Sequence, residues 1–152
     1  MAELKERLRA DLNAAMRARD QVRMRTLRMA LSSITNEEVA GASARELSDD
    51  EVMKVLTREA RKRREAAEAF GAAGRDEQAA AERAEGDVLA GYLPAQLSDD
   101  ELASLVSAAI AETGASGMQG MGQVMKTLTP RVVGRADGAR VAAEVRRRLS
   151  SA

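Results

Sequence analysis

The side chains of this sequence whose type and spacing could do chemistry are basic. Lys54, Arg58, Arg61 and Lys62 recur at helical spacing, so they can share one face of a helix and follow a row of phosphates. The alternative is a solvated face whose cations pair with nearby carboxylates, for example Arg61 with Glu65. Charge-dense helices are common without ligands, so we favour the ion-paired face and keep the phosphate-binding face open.

A second basic segment covers residues 118–152, where seven basic residues face only two acidic ones. A helix that begins at Gly138 would present free N–H groups beside Arg135, an arrangement that suits a phosphate. This segment therefore supplies the main candidates for contacts with a nucleic acid, which are Lys126, Arg131, Arg135 and Arg140. The first basic stretch adds Arg58, Arg61 and Lys62 as further candidates.

Four residues of the same segment have a structural explanation that needs no ligand. Gly134 can be the left-handed residue that closes one helix, and Asp137 can be the N-cap of the next. We assign Gly122, Gly134, Asp137 and Gly138 to this structural motif, with Pro130 as a further helix-ending residue. This explanation does not account for the cations that surround the turn, so they remain the candidates for binding.

The composition restricts catalysis. The chain has neither cysteine nor histidine, so it offers no thiolate metal site, no disulfide and no imidazole base. We predict no catalytic residues, no metal and no cofactor. The 24 basic and 24 acidic residues balance, no apolar run is long enough for a membrane span, and the N-terminus carries acidic residues, so we expect a cytoplasmic protein that does not enter membranes.

Helical signals account for the whole chain. The apolar residues are mostly Ala, Leu, Val and Met, which favour helix packing, and Ser48 with Glu51 and Ser98 with Glu101 each spell a capping box. We predict an all-α fold of seven helices, at about residues 4–19, 24–35, 49–70, 76–93, 99–113, 121–132 and 138–149. Pro94 separates a four-helix domain, residues 1–93, from a small three-helix domain, residues 95–152.

The run Gly122-Gln123-Val124-Met125-Lys126, followed by Pro130-Arg131-Val132-Val133-Gly134-Arg135-Ala136-Asp137-Gly138, resembles the GatB/YqeY family. The resemblance extends through Tyr92-Leu93-Pro94 and the Arg58–Arg64 stretch to the whole chain, as in a stand-alone YqeY-like protein. In that family the C-terminal module is similar to the tail of GatB in the glutamine-dependent aspartyl/glutamyl-tRNA amidotransferase, where it helps to hold tRNA. The catalytic part of GatB is too large for 152 residues.

The resemblance implies a non-catalytic protein that binds tRNA, or that accompanies a protein partner in tRNA amidation. One alternative is a helical protein-interaction module, which the methionines Met118, Met121 and Met125 and the balanced charge suggest. The family label also implies a carbon–nitrogen ligase that uses glutamine as amide donor, although no nucleophile is recognisable here. The sequence leaves the oligomeric state and the identity of any bound RNA open.

Overall fold

The computed structural model of the protein describes residues 2–151, and within this range all regular structure is helical, with no β-strand. It contains a 3-10 turn (Met118–Gly120) and seven α-helices, namely α1 (Glu3–Ala18), α2 (Gln21–Val39), α3 (Asp49–Ala72), α4 (Asp76–Ala90), α5 (Asp99–Thr113), α6 (Met121–Val132) and α7 (Gly138–Ser150). The predicted all-α fold is confirmed. None of these helices combines the length and the apolar character needed to cross a bilayer.

The helices form two compact units, one ending at Pro94 and the other beginning at Ala95. In the first unit, α1 to α4 enclose a core whose fully buried members include Leu8, Leu27, Ile34, Leu56 and Leu89. Helices α3 and α4 approach closely, since a Cβ added at Gly86 would lie 3.6 Å from the Cβ of Arg63. This approach brings the charged side chains of the two helices together.

In the second unit, α5, α6 and α7 enclose a separate core. Its fully buried members include Val106 of α5, Val124 and Leu128 of α6, and Val141 and Val145 of α7. These apolar residues recur at helical spacing, so each of the three helices turns one face inward and presents its polar residues to solvent.

Both predicted capping boxes are confirmed. The Ser48 hydroxyl accepts a hydrogen bond from the Glu51 N–H at 3.2 Å, and the Glu51 carboxylate accepts one from the Ser48 N–H at 3.2 Å. The corresponding distances between Ser98 and Glu101 are 3.1 and 3.0 Å. Each box satisfies backbone donors that a helix start leaves without intrahelical partners, so α3 and α5 begin where the sequence indicates.

Three helix ends differ from the prediction. Helix α2 continues to Val39, because Glu37 and Glu38 are anchored there by long-range contacts with Arg58 and Lys5. Helix α3 runs through Gly71 to Ala72.

The third difference concerns α4, which ends at Ala90 and not at about residue 93. Helix α6 ends at Val132 as predicted, but the expectation that Pro130 helps to end it is wrong, because Pro130 lies inside the helix. Only two residues of α6 follow Pro130, so the missing N–H removes one hydrogen bond close to the helix end. The helix stops where Val133 turns extended, with ψ 127°, and Gly134 adopts the left-handed φ of 74°.

Candidate nucleic-acid interface

Lys126 lies on the exposed side of α6, opposite the side that Val124 and Leu128 bury in the core. The sequence between Glu112 and Asp137 holds three basic residues and no acidic one. Within residues 2–151, the Lys126 ammonium has neither an ion-pair nor a hydrogen-bond partner. Its charge is therefore available to an external anion.

Arg131 lies near the end of α6 and is paired with α5. Its Nη1 and Nη2 donate to the two carboxylate oxygens of Glu112 at 2.6 and 3.2 Å, a bidentate geometry. The hydrogen bond from Arg131 lowers the pKa of Glu112. Both side chains stay substantially exposed, so the pair lies at the surface.

Arg135 and Arg140 lie near the acidic first turn of α5. The Arg140 Nη2 lies 2.8 Å from a carboxylate oxygen of Asp99, whose side chain is 98% exposed. The Arg135 Nε donates to the Ala95 carbonyl at 3.5 Å. The pKa of Glu101 is lowered chiefly by hydrogen bonds from Ser98, and the positive charge of Arg135 lowers it further.

The turn between α6 and α7 is held by the segment that enters α5. The Leu97 N–H donates to the Arg135 carbonyl at 2.9 Å, and the Gln96 side-chain amide donates to the Gly134 carbonyl at 2.8 Å. The Asp137 carboxylate caps α7 by accepting from the Ala139 N–H at 3.1 Å. These bonds fix the position of the backbone from which Arg135 projects.

The two other glycines of the predicted structural motif are not required by their surroundings. A Cβ added at Gly122 or at Gly138 would meet nothing within 4 Å, and neither residue has a positive φ. Gly134 differs, because its φ of 74° favours glycine.

The basic excess of residues 118–152 is reduced by α5. From Ala95 onward the sequence holds seven basic and six acidic residues, and Glu112 and Asp99 contact two of the candidate cations. Lys126, in contrast, is approached by no carboxylate within the described part of the chain.

The candidates on α3 all have carboxylate partners. Arg58 contacts Glu37 at 3.1 Å, Arg61 contacts Glu65 at 3.8 Å, and Lys62 contacts Glu59 at 3.4 Å. These contacts are what an ion-paired solvent face requires, and they leave less positive charge on α3 than its sequence indicates.

Sequence reasoning missed a partly buried charge cluster between α3 and α4. Arg63 contacts Glu59 at 3.6 Å and both Glu82 and Glu85 at 3.4 Å, while Arg25 of α2 contacts Glu85 at 2.7 Å. The i to i+4 spacing of Glu59 and Arg63 could have indicated the first contact. The others join distant parts of the chain, so no local pattern announces them.

A second missed cluster surrounds Tyr92, which is almost completely buried. Its hydroxyl contacts Asp11 and Arg23, and the guanidinium of Arg7 lies 4.6 Å from the ring centroid. Burial, followed by the contact with Asp11, raises the pKa of Tyr92 to about 12. Within residues 2–151 no group of three acidic side chains is placed to hold a metal ion.

The arrangement defines a class of protein: an all-helical chain whose second unit carries an exposed lysine, Lys126, on α6 and ion-paired arginines at the end of α6 and the start of α7. The family model described as "Yqey-like protein" matches residues 5–149, nearly the whole chain. The chain therefore belongs to this family, and the resemblance to YqeY proteins predicted from the sequence is confirmed. No curated protein matches the chain.

Proposed function

We propose that this protein is a non-catalytic tRNA-binding protein that accompanies tRNA amidation. The observation that carries the proposal is the exposed Lys126, which has no partner within the described residues and lies on a helix without acidic residues. Membership of the Yqey-like family supports it through the similarity of that family to an amidotransferase tail. The proposal places the RNA contact in a three-helix domain, residues 95–152, that follows a four-helix domain, residues 1–93.

Three arginines are proposed to join Lys126 at the phosphates, although each already has a protein partner. Exposed ion pairs contribute little to stability, so a phosphate can replace the carboxylate of Glu112 or Asp99 at small cost. The pairs Arg131–Glu112 and Arg140–Asp99 are both solvent-accessible. Arg135 completes the set beside the α7 N-terminus, whose first N–H groups also attract anions.

The test is binding of bulk tRNA to the full-length protein across a salt series. Lys126→Gln removes one phosphate contact, so the slope of log K against log salt should become shallower by about 0.9. Arg75→Gln is the matched control, because the Arg75 side chain is exposed, has no partner within the described residues and lies at the start of α4. The same assay with Lys62→Gln tests whether the α3 cations Arg58, Arg61 and Lys62 contribute.

The outcomes separate the parts of the proposal. Failure of the unmodified protein to bind tRNA at low salt would overturn the function. If Lys126→Gln and Arg75→Gln bind equally, Lys126 is not a contact. Glutamine-dependent amide transfer by the purified protein would show that the protein is catalytic, as the ligase label of the family implies.

A second candidate function is docking on a protein partner. The observation that favours it is Met118, which is 43% exposed on the turn immediately before α6. Methionine has a flexible, polarisable side chain and is frequent at protein-binding surfaces that adapt to their partners. Purification from cells with and without nuclease distinguishes the two functions, since a protein partner stays bound after the RNA has been removed.

A further inference from the structure

The first unit has a cationic surface that the predicted contacts do not include. Helices α1 and α2 form a hairpin, and the Arg28 guanidinium of α2 donates to the Met16 sulfur of α1 at 3.5 Å. The exposed faces of the two helices therefore adjoin. We call this area the hairpin surface and define it by six exposed residues, Asn13, Arg17, Arg19, Gln21, Arg28 and Ser32.

The hairpin surface is depleted of acidic residues. Residues 12–36 contain five arginines and one acidic residue, Asp20. The Asp20 carboxylate is occupied as the N-cap of α2, where it accepts from the Arg23 N–H at 3.1 Å. A cation in this region therefore has no free carboxylate nearby in sequence.

Two of the five arginines are held by groups outside the hairpin. Arg23 donates to the Tyr92 hydroxyl, and Arg25 pairs with Glu85. The other three, Arg17, Arg19 and Arg28, have no carboxylate partner within residues 2–151. Because helices are rigid and the connecting residue Arg19 is fixed in a left-handed turn with φ 56°, the backbone that carries these three charges is preorganised.

The side chains of the hairpin surface fit a phosphate backbone better than a protein. A protein interface has an apolar centre, whereas the large apolar side chain that reaches solvent beside these six residues is Met16, 39% exposed. Arginine, asparagine, glutamine and serine are the donors that commonly contact phosphate oxygens. None of the six residues is an aromatic on which single-stranded bases could stack, since Tyr92 is buried and Phe70 belongs to α3.

We infer that the hairpin surface binds the phosphate backbone of double-helical RNA through Arg17, Arg19 and Arg28. This inference rests on the proposed RNA binding and adds to it a second contact surface, located in the first unit. Base-paired RNA supplies regularly spaced phosphates without requiring aromatic stacking, which matches the side chains present.

The test uses the full-length protein and two probes, an RNA duplex of about 16 base pairs and a single strand of equal length. The double variant Arg17→Gln/Arg28→Gln should make the salt slope for the duplex shallower by about 2 and weaken binding on the order of tenfold at moderate salt. The matched control is Arg75→Gln/Arg83→Gln, which removes the same charge from exposed side chains at and within α4 that have no partners among the described residues. The charge-preserving Arg17→Lys/Arg28→Lys should keep the slope of the unmodified protein.

Each outcome supports or overturns the inference. A hairpin double variant that matches the α4 control overturns it, while the proposed function stands if Lys126→Gln still weakens binding. Absence of binding by the unmodified protein overturns both. Tighter binding of the single strand than of the duplex overturns the assignment to double-helical RNA. The assignment is also overturned if Arg17→Lys/Arg28→Lys loses as much affinity for the duplex as Arg17→Gln/Arg28→Gln. Neither Arg17 nor Arg28 makes an ion pair within residues 2–151, so unchanged thermal unfolding is expected for both variants.

Discussion

The hydroxyl of Tyr92 donates a hydrogen bond of 2.5 Å to the carboxylate of Asp11, a residue 81 positions earlier in the chain. Arg23 donates to the same hydroxyl at 3.3 Å. The Tyr92 hydroxyl therefore donates to a carboxylate and accepts from a guanidinium. The contacts tie α1 and the start of α2 to Tyr92, which lies two residues beyond the end of α4. They therefore fix the end of the first unit, close to Pro94.

We expect Tyr92→Phe to destabilise the protein by about 1.5–3 kcal/mol, since it removes a hydrogen bond to a charged group. The contribution should depend on pH. Burial and Asp11 raise the pKa of Tyr92 from 10.0 to about 12, so the fold favours the neutral phenol. The stabilisation is complete below pH 10 and is lost as the pH rises towards about 12.

Ultraviolet absorbance measures this directly, because Tyr92 is the only tyrosine and the chain has no tryptophan. The folded protein should form tyrosinate near pH 12, and the denatured protein near pH 10. Equal titration of the folded and denatured chains would contradict the buried contact. Tyr92→Phe should also remove the corresponding loss of stability at high pH.

Arg63→Met should be far more damaging than Arg64→Met, although the two arginines are neighbours on α3. Arg63 contacts three glutamates, of which Glu59 is 4% exposed and Glu85 is 9% exposed. Removing the cation takes one partner from Glu59 and Glu85, which keep Lys62 and Arg25, and takes the contact from Glu82. Because hydrogen-bonded acceptors lose a donor, the loss should be about 1–3 kcal/mol.

Arg64 is the matched control for this substitution. Its side chain is exposed and has no partner within the described residues, so Arg64→Met should change stability by less than about 0.5 kcal/mol. Urea unfolding of the two variants under the same conditions measures the difference. Similar midpoints would mean that the cluster around Arg63 does not stabilise the fold.

The parts of the structure that the sequence predicted are those set by nearby residues. Ser48 and Glu51 are three positions apart, so their capping box is visible without any knowledge of the tertiary fold. The pairing of Arg131 with Glu112 joins positions 19 apart, and Arg140 reaches Asp99 across 41. The basic excess of residues 118–152 therefore suggested more unpaired cations than the folded second unit contains.

The hairpin surface shows the opposite case. The sequence shows that residues 12–36 contain a single acidic residue, but it does not show that the polar sides of α1 and α2 adjoin. The contact between Arg28 and Met16, which only the folded structure shows, brings the polar sides of the two helices next to each other. Local charge counts indicate such a surface only when the packing of the helices is also known.

The Glu51 carboxylate provides a third prediction. The hydrogen bond from Arg45, followed by that from the Ser48 N–H, lowers the pKa of Glu51 from 4.5 to about 2. The folded state thus gains stability from ionised Glu51 above pH 4.5, and loses it as the pH falls towards about 2. Arg45→Gln should raise the pKa of Glu51, as followed by NMR titration of its carboxyl carbon. Glu101, whose pKa is lowered chiefly by Ser98, should titrate unchanged in this variant.

Two glycines at the start of α6 should respond to alanine in opposite directions. A Cβ at Gly120 would lie 2.6 Å from the Cβ of Ala115, so Gly120→Ala forces the backbone apart and should cost about 1–3 kcal/mol. At Gly122 a Cβ would meet nothing within 4 Å, and alanine restricts the unfolded chain, so Gly122→Ala should stabilise by about 0.4–1 kcal/mol.

Denaturant unfolding of the two single variants measures both effects on one helix. Gly120 has φ −85°, which alanine adopts without strain, so a loss of stability there reports the steric contact with Ala115 and not the backbone conformation. If Gly120→Ala is as stable as the unmodified protein, the 3-10 turn before α6 is not packed against Ala115. If Gly122→Ala lowers stability, the surface of α6 beside Lys126 is less open than the structure shows.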